Sequence, residues 1–272
     1  MNGIRCENCP HRCVIPEGRP GRCAVRENKN GAINLPYYGF ITASAIDPIE
    51  KKPLYHFRPG SKIPSFGFTG CNLNCPFCQN YAISKHTDCA GEYIKSEALV
   101  RCVEKTGFQQ IAYTYSEPLV HTEFVCECAG LARTKDIANV LVTNGCCEKN
   151  TADEVLRFTD AANIDLKCFN AEKYSNILGG NFESTLAFIE NAFSRGVHIE
   201  VTTLVVTGFN DNMEELLECA GFIASLSAEI PWHLNAYHPA YKYHEAPPDK
   251  NLLFAAQKKA KEKLRFVYLG NI

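Results

Sequence analysis

The stretch Gly70-Cys71-Asn72-Leu73-Asn74-Cys75-Pro76-Phe77-Cys78-Gln79-Asn80 carries three cysteines in the spacing CxxxCxxC. It follows directly on an apolar run, Ile63–Phe68, that reads as a strand. Three thiolates with no fourth cysteine close by can hold three irons of a cubane and leave the fourth iron open to a ligand. An electron-transfer cluster would use four cysteines. A zinc knot is the other reading, but zinc also wants four ligands, commonly in CxxC pairs, and fits this spacing poorly. The loop therefore reads as a reactive iron–sulfur site at the end of a strand.

Outward from this loop, residues 61–272 alternate strand-like and helix-like text. Strand patterns fall at Ile63–Phe68, Gln110–Tyr115, Ala138–Thr143, Ala161–Leu166, His198–Val206 and Trp232–Tyr237, with Arg265–Leu269 a seventh candidate. Amphipathic stretches lie between them at Ser96–Thr106, Pro118–Arg133, Thr151–Phe158, Phe182–Arg195, Asn212–Leu226 and Asn251–Leu264. Ser96, and Asn150-Thr151, read as helix caps. Regular alternation predicts βαβ units and a parallel sheet. The strands are too few for a closed eight-fold barrel of ~250 residues, so an open, partial TIM-like (β/α)6 barrel is expected. Its chemistry should sit at the C-terminal ends of the strands, where the three cysteines fall.

Residues 1–60 have a different texture, rich in Cys, Pro, Gly and Arg with little periodicity, and read as a small N-terminal module. Cys6, Cys9, Cys13 and Cys23 are spaced CxxCx3Cx9C, enough thiolates to close a zinc site or a full [4Fe–4S] cluster. A loop-rich module of this size needs such a staple, so a second metal centre is expected, its metal left open. Among the remaining cysteines, most fall on helices as small core residues. Cys146, Cys147 and Cys168 follow strand ends and could sit near substrate.

Composition narrows the classes. The chain has 272 residues, 46% of them hydrophobic and 21% charged, which allows a well-filled core. A net charge of −2 lacks the basic footprint of a nucleic-acid binder. No apolar run approaches the ~18 residues of a membrane span, and the N-terminal text lacks an apolar signal region. Fifteen cysteines in such a chain suggest metal rather than disulfides, a reducing cytoplasm and an anaerobic cell.

The motif, with Phe77 before its last cysteine, resembles the radical S-adenosylmethionine (SAM) superfamily. Together with Asp47-Pro-Ile-Glu50-Lys-Lys-Pro53-Leu-Tyr-His56-Phe-Arg-Pro59-Gly60 and Trp232-His-Leu-Asn-Ala-Tyr-His238-Pro, it is similar to the AmmeMemoRadiSam-system radical SAM proteins. That family is related to the pyruvate formate-lyase (glycyl-radical enzyme) activating enzymes. The resemblance covers nearly the whole chain. It also implies a Cys-containing tail beyond Gly270-Asn271, whereas this sequence ends at Ile272.

The resemblance implies a [4Fe–4S] cluster on Cys71, Cys75 and Cys78, reductive cleavage of SAM, and hydrogen abstraction by a 5′-deoxyadenosyl radical. It implies SAM contacts from Phe77, from Ser116 and Glu117 at the second strand's end, and from Asp165 and Lys167 at the fourth. It places His238, rather than His233, at a SAM-contacting position. Asn144, in the Thr143-Asn144-Gly145 turn, and Thr202 or Thr203 on the fifth strand are further candidates. Each has a bland reading beside it: Ser116 as a helix cap, Asp165–Lys167 as a structural ion pair, threonine as an ordinary strand residue. The expected substrate is a protein or peptide, with a small molecule or cofactor as the alternative. The expected electron donor is a flavodoxin or ferredoxin-type reductant, and no nucleic acid or membrane partner is expected. An iron–sulfur electron carrier that never turns SAM over is the reading from another class.

Overall fold

The computed structural model describes residues 3–272. Its strands are β1 Gly3–Arg5, β2 Val14–Pro16, β3 Glu27–Lys29, β4 Ala32–Asn34, β5 Phe40–Ile41, β6 Ala43–Pro48, β7 Lys62–Gly67, β8 Glu92–Tyr93, β9 Gln110–Thr114, β10 Ala138–Thr143, β11 Ala161–Asp165, β12 His198–Val205, β13 Trp232–Ala236 and β14 Val267–Gly270. Eight of them form one sheet in the order β6-β7-β9-β10-β11-β12-β13-β14. The seven from β7 onward are parallel, and β6 pairs antiparallel with β7. β6 and β14 are its edges and do not pair, so the chain forms the expected open, partial barrel. The seventh strand candidate is real and adds in parallel to β13.

Helices cover the outer face because parallel strands, buried on both sides, need crossovers that bury their own apolar stripes. Phe182–Ser194, Met213–Leu226 and Lys250–Ala260 each start on a side-chain cap, from Asn181, Asn212 and Asp249. Two expected caps differ. Ser96 is the first residue of its helix, with Lys95 at the cap position and no capping bond, and the helix expected at Thr151 begins at Lys149. The main core lies between sheet and helices around Trp232, Tyr113, Phe124 and Phe188.

One feature of the interior had no sequence signature. β6 belongs to the barrel sheet although it lies in the text expected to form the N-terminal module. The chain then passes into the barrel, where Ile49 and Leu54 pack on Ile63, Ala112, Val140 and Ala161. The small side chains Ala112 and Ala161 leave room for this plug. Its polar backbone is met by buried side chains: Asn163 donates to the Pro53 carbonyl at 2.8 Å. Glu200 accepts from the Tyr55 and His56 amides at 3.0 and 2.7 Å. Glu200 also receives His198 and His233, at 3.1 and 2.7 Å, near the start of β12 and β13. His233, the second residue of β13, therefore sits toward the barrel's N-terminal end, away from the strand ends beside the three cysteines.

Among the described residues no helix is long and apolar enough to cross a membrane.

Candidate functional site

The loop after β7 turns sharply at Gly70, whose φ is +80°. A Cβ there would lie 2.5 Å from the Cys23 carbonyl oxygen, so only glycine allows this approach. Past the turn, Cys71, Cys75 and Cys78 all face one cavity of about 380 Å³, within the range of roughly 300–1,000 Å³ usual for small-molecule sites. Phe77, Ser116, Glu117, Asn144, Asp165, Lys167 and Thr202 line the same cavity. Residues from the ends of β9, β10 and β11, from β12 and from the loop after β7 thus converge, as the pleat and the parallel register require.

Two hydroxyls in it are notable. Ser116 Oγ and Thr202 Oγ1 are buried with no hydrogen-bond partner. Buried polar groups are normally paired, so these two fit a polar ligand in the cavity. Ser116 is aimed by strain at its neighbour: Tyr115 holds φ at +67°, with its hydroxyl donating to Asp47 at 2.6 Å. Thr203, the alternative to Thr202, points the other way. It donates to the Leu166 carbonyl and accepts from Trp232 Nε1, which makes it part of the packing.

Glu117 caps the short turn Pro118–His121, accepting from the Leu119 amide; the cap is this glutamate and not Ser116. Its other bonds come from Thr143 Oγ1 at 2.6 Å and the Asn144 amide at 2.8 Å. Burial outweighs these bonds and raises its carboxyl to about 7. Asp165 and Lys167, two residues apart across the end of β11, pair at 2.7 Å. Burial would lower the Lys167 ammonium, but Asp165 and the nearby Cys75 outweigh it and raise it.

The thiols are buried, which pushes Cys71 and Cys75 up from the ordinary thiol range. Positive charge opposes this: Lys85 acts on both, and Lys167 on Cys75. Lys85 donates to the Leu73 carbonyl inside the loop. Neither Lys85 nor Asn72 was singled out from sequence. Asn72 donates to the Cys146 carbonyl and accepts from Asn144, whose amide also reaches Cys71 Sγ at 3.7 Å. The available signal for Asn72 was its place inside the motif.

His238 lies elsewhere. Its side chain is exposed and does not line the cavity, although its carbonyl accepts from Gln79 at 3.2 Å. Phe77 is buried against Phe209, Tyr237 and Tyr243 and braces the loop from the side. The N-terminal cysteines face the same end of the barrel, through His11 on the Asn72 carbonyl at 2.9 Å and Asn8 on the Leu119 carbonyl at 2.8 Å. Among the described residues, no three His, Cys, Asp or Glu side chains stand close enough together to hold a metal as they are oriented. The donor chemistry of the cavity, three thiols facing one space with charged and polar groups beside them, fits an iron–sulfur cluster on three cysteines and a polar, charged ligand.

The sequence pattern of the Radical SAM superfamily matches residues 66–223. Uncharacterized protein MJ0808 of Methanocaldococcus jannaschii is 38% identical over 276 residues, covering 100% of this chain and 82% of that protein. Pyruvate formate-lyase 1-activating enzyme of Escherichia coli is 24% identical over 192 residues, covering 68% of this chain and 77% of that protein. Streptococcus suis SuiB, solved bound to precursor peptide SuiA, superposes with a TM-score of 0.59 at 13% identity, over 76% of this chain and 48% of its own.

Proposed function

The chain belongs to the radical SAM superfamily, and from that premise we propose that it is an enzyme that cleaves SAM reductively and abstracts hydrogen from a protein or peptide substrate. The carrying observation is the cavity that joins three cysteines, an ion pair and two unpartnered buried hydroxyls. A [4Fe–4S] cluster with SAM beside it supplies one-electron cleavage of the sulfonium carbon–sulfur bond, giving methionine and a 5′-deoxyadenosyl radical that takes hydrogen from the substrate.

The chain's own part is binding and orientation. Cys71, Cys75 and Cys78 would hold the cluster, and Lys85 and Lys167 offset the charge of their thiolates. Glu117 would face the ammonium of the SAM amino acid, its carboxylate oriented by Thr143, Asn144 and Leu119. Lys167, steered by Asp165, and the hydroxyls of Ser116 and Thr202 would meet the remaining polar groups. Pro53 of the plug lines the cavity, its carbonyl held by Asn163. The likeness to an enzyme that activates pyruvate formate-lyase supports a macromolecular target. The electron donor in this proposal is a flavodoxin or ferredoxin-type protein.

The test is anaerobic reconstitution with iron and sulfide, followed by SAM and dithionite, with 5′-deoxyadenosine assayed. Deoxyadenosine formed by the parent chain and absent from Cys75→Ala supports the reading. A cluster that assembles, yet neither changes its EPR signal with SAM nor cleaves it, would make this an electron carrier. Deuterium transfer from labelled candidate peptides into deoxyadenosine then tests the substrate class against small molecules.

A further inference from the structure

Four cysteines outside the cavity remain without a role, and their local backbone is unusual. Cys9 opens a tight turn in which the Arg12 amide donates to the Cys9 carbonyl at 3.0 Å and Arg12 takes a φ of +41°. Cys23 sits in a similar turn: the Ala24 amide donates to the Gly21 carbonyl at 2.9 Å and Ala24 has a φ of +66°. Left-handed residues other than glycine are strained and persist only where their surroundings hold them.

The four positions also converge. The Cys6 amide donates to the Cys13 carbonyl at 2.9 Å, which places these two side by side. The Cys23 carbonyl lies against Gly70 and His11 bonds the Asn72 carbonyl, so the Cys9 and Cys23 turns meet the same short loop. Cys6, Cys9 and Cys23 are buried and Cys13 is half-buried. Around them the packing is thin. Between residues 3 and 34 the buried apolar side chains besides these cysteines are Ile15 and Val25, and the strands are three residues long. Such a segment needs a cross-link to hold its shape.

We infer that Cys6, Cys9, Cys13 and Cys23 together hold one thiolate-bound metal centre, separate from the Cys71–Cys78 site, that braces the loop carrying Cys71 and Cys75. Four thiolates fill every position of a tetrahedral zinc ion and equally ligate all four irons of a cubane, so in either form the centre is closed to substrate. Metal binding displaces the four thiol protons. The brace acts through contacts already made: the Cys23 carbonyl against Gly70, and His11 on the Asn72 carbonyl.

The experiment uses the full chain carrying Cys71→Ser, Cys75→Ser and Cys78→Ser, purified anaerobically and supplied with zinc, or with iron and sulfide. Elemental analysis should find roughly one zinc or roughly four irons per chain, and absorbance near 400 nm tells the two apart. Adding Cys9→Ser, or Cys13→Ser should that variant not fold, should remove the metal. A folded triple variant without metal, or metal kept after both further substitutions, overturns the inference. Alkylation of the parent chain gives a second readout. Exposed Cys102 should react at once, whereas Cys6, Cys9, Cys13 and Cys23 should become reactive together when a chelator is added. Independent reaction of the four, insensitive to chelator, refutes a shared centre. Neither readout depends on SAM turnover.

Discussion

Glu200→Gln removes a charge at the plugged end of the barrel while keeping its volume. The parent carboxylate is fully buried and accepts four bonds, from the Tyr55 and His56 amides and from His198 and His233. Glutamine offers one accepting oxygen, and its NH2 confronts a backbone N–H and an imidazole. The imidazole can answer by changing tautomer, but the amide cannot. One orphaned buried N–H costs about 1–3 kcal/mol, and the surviving bonds lose their charge assistance. Proton linkage gives a second route to the magnitude. Burial would raise this carboxyl, but the histidine and amide bonds outweigh it and hold it at about 2. Against about 4.3 in the unfolded chain, at about 1.4 kcal/mol per unit, the stabilisation is roughly 3 kcal/mol. Because the folded value is depressed, this contribution is complete above about pH 4.3 and is lost as pH falls through about 2. Urea unfolding, followed by far-UV circular dichroism and by the fluorescence of Trp232, should show the variant about 3 kcal/mol less stable at pH 7. The difference should shrink between about pH 4 and pH 2. A loss below about 1 kcal/mol at pH 7, or a difference that ignores pH, would refute the reasoning.

Three further outcomes concern the site. With Glu117 raised to about 7, its carboxylate fraction climbs from about a tenth at pH 6 to about nine-tenths at pH 8; SAM affinity of the reconstituted protein, by equilibrium dialysis, should rise up to roughly tenfold across that range and stay flat in Glu117→Gln. Asp165→Asn leaves the Lys167 ammonium without its partner in a mostly buried setting, so SAM should bind more weakly by about 1–3 kcal/mol while circular dichroism is unchanged. Gly70→Ala forces a Cβ against the Cys23 carbonyl at a positive φ, and thermal unfolding should report a loss of about 2 kcal/mol or more.

The cysteine loop, the alternation of strands and helices and the open barrel were legible because each rests on local spacing: CxxxCxxC at one strand end, period-two and period-3.6 patterns elsewhere. The β6 edge strand and the plug were not legible. Asp47 to Phe57 has no periodicity of its own, and its partners Asn163, Glu200 and, against the Tyr55 ring, His233 lie more than a hundred residues away. The same holds for Lys85, which meets the thiols only through the fold of the loop.

Candidate ligands divide in the same way. Strand alternation narrowed the choice at β12 to Thr202 or Thr203, but a one-residue change of register exchanges the two faces. Only the observed pairing of Asp165 with Thr202 decides that Thr202 meets the cavity. His233 and His238 share one short stretch of sequence, yet one is buried beside Glu200 and the other is exposed beyond the strand. By itself the sequence determined the fold class and the three-thiol motif, because the backbone period and ligand spacing are written in neighbouring residues. Which polar groups face one another across the barrel was decided by tertiary structure alone, since strand register and the threading of the plug bring together residues that local chemistry leaves independent.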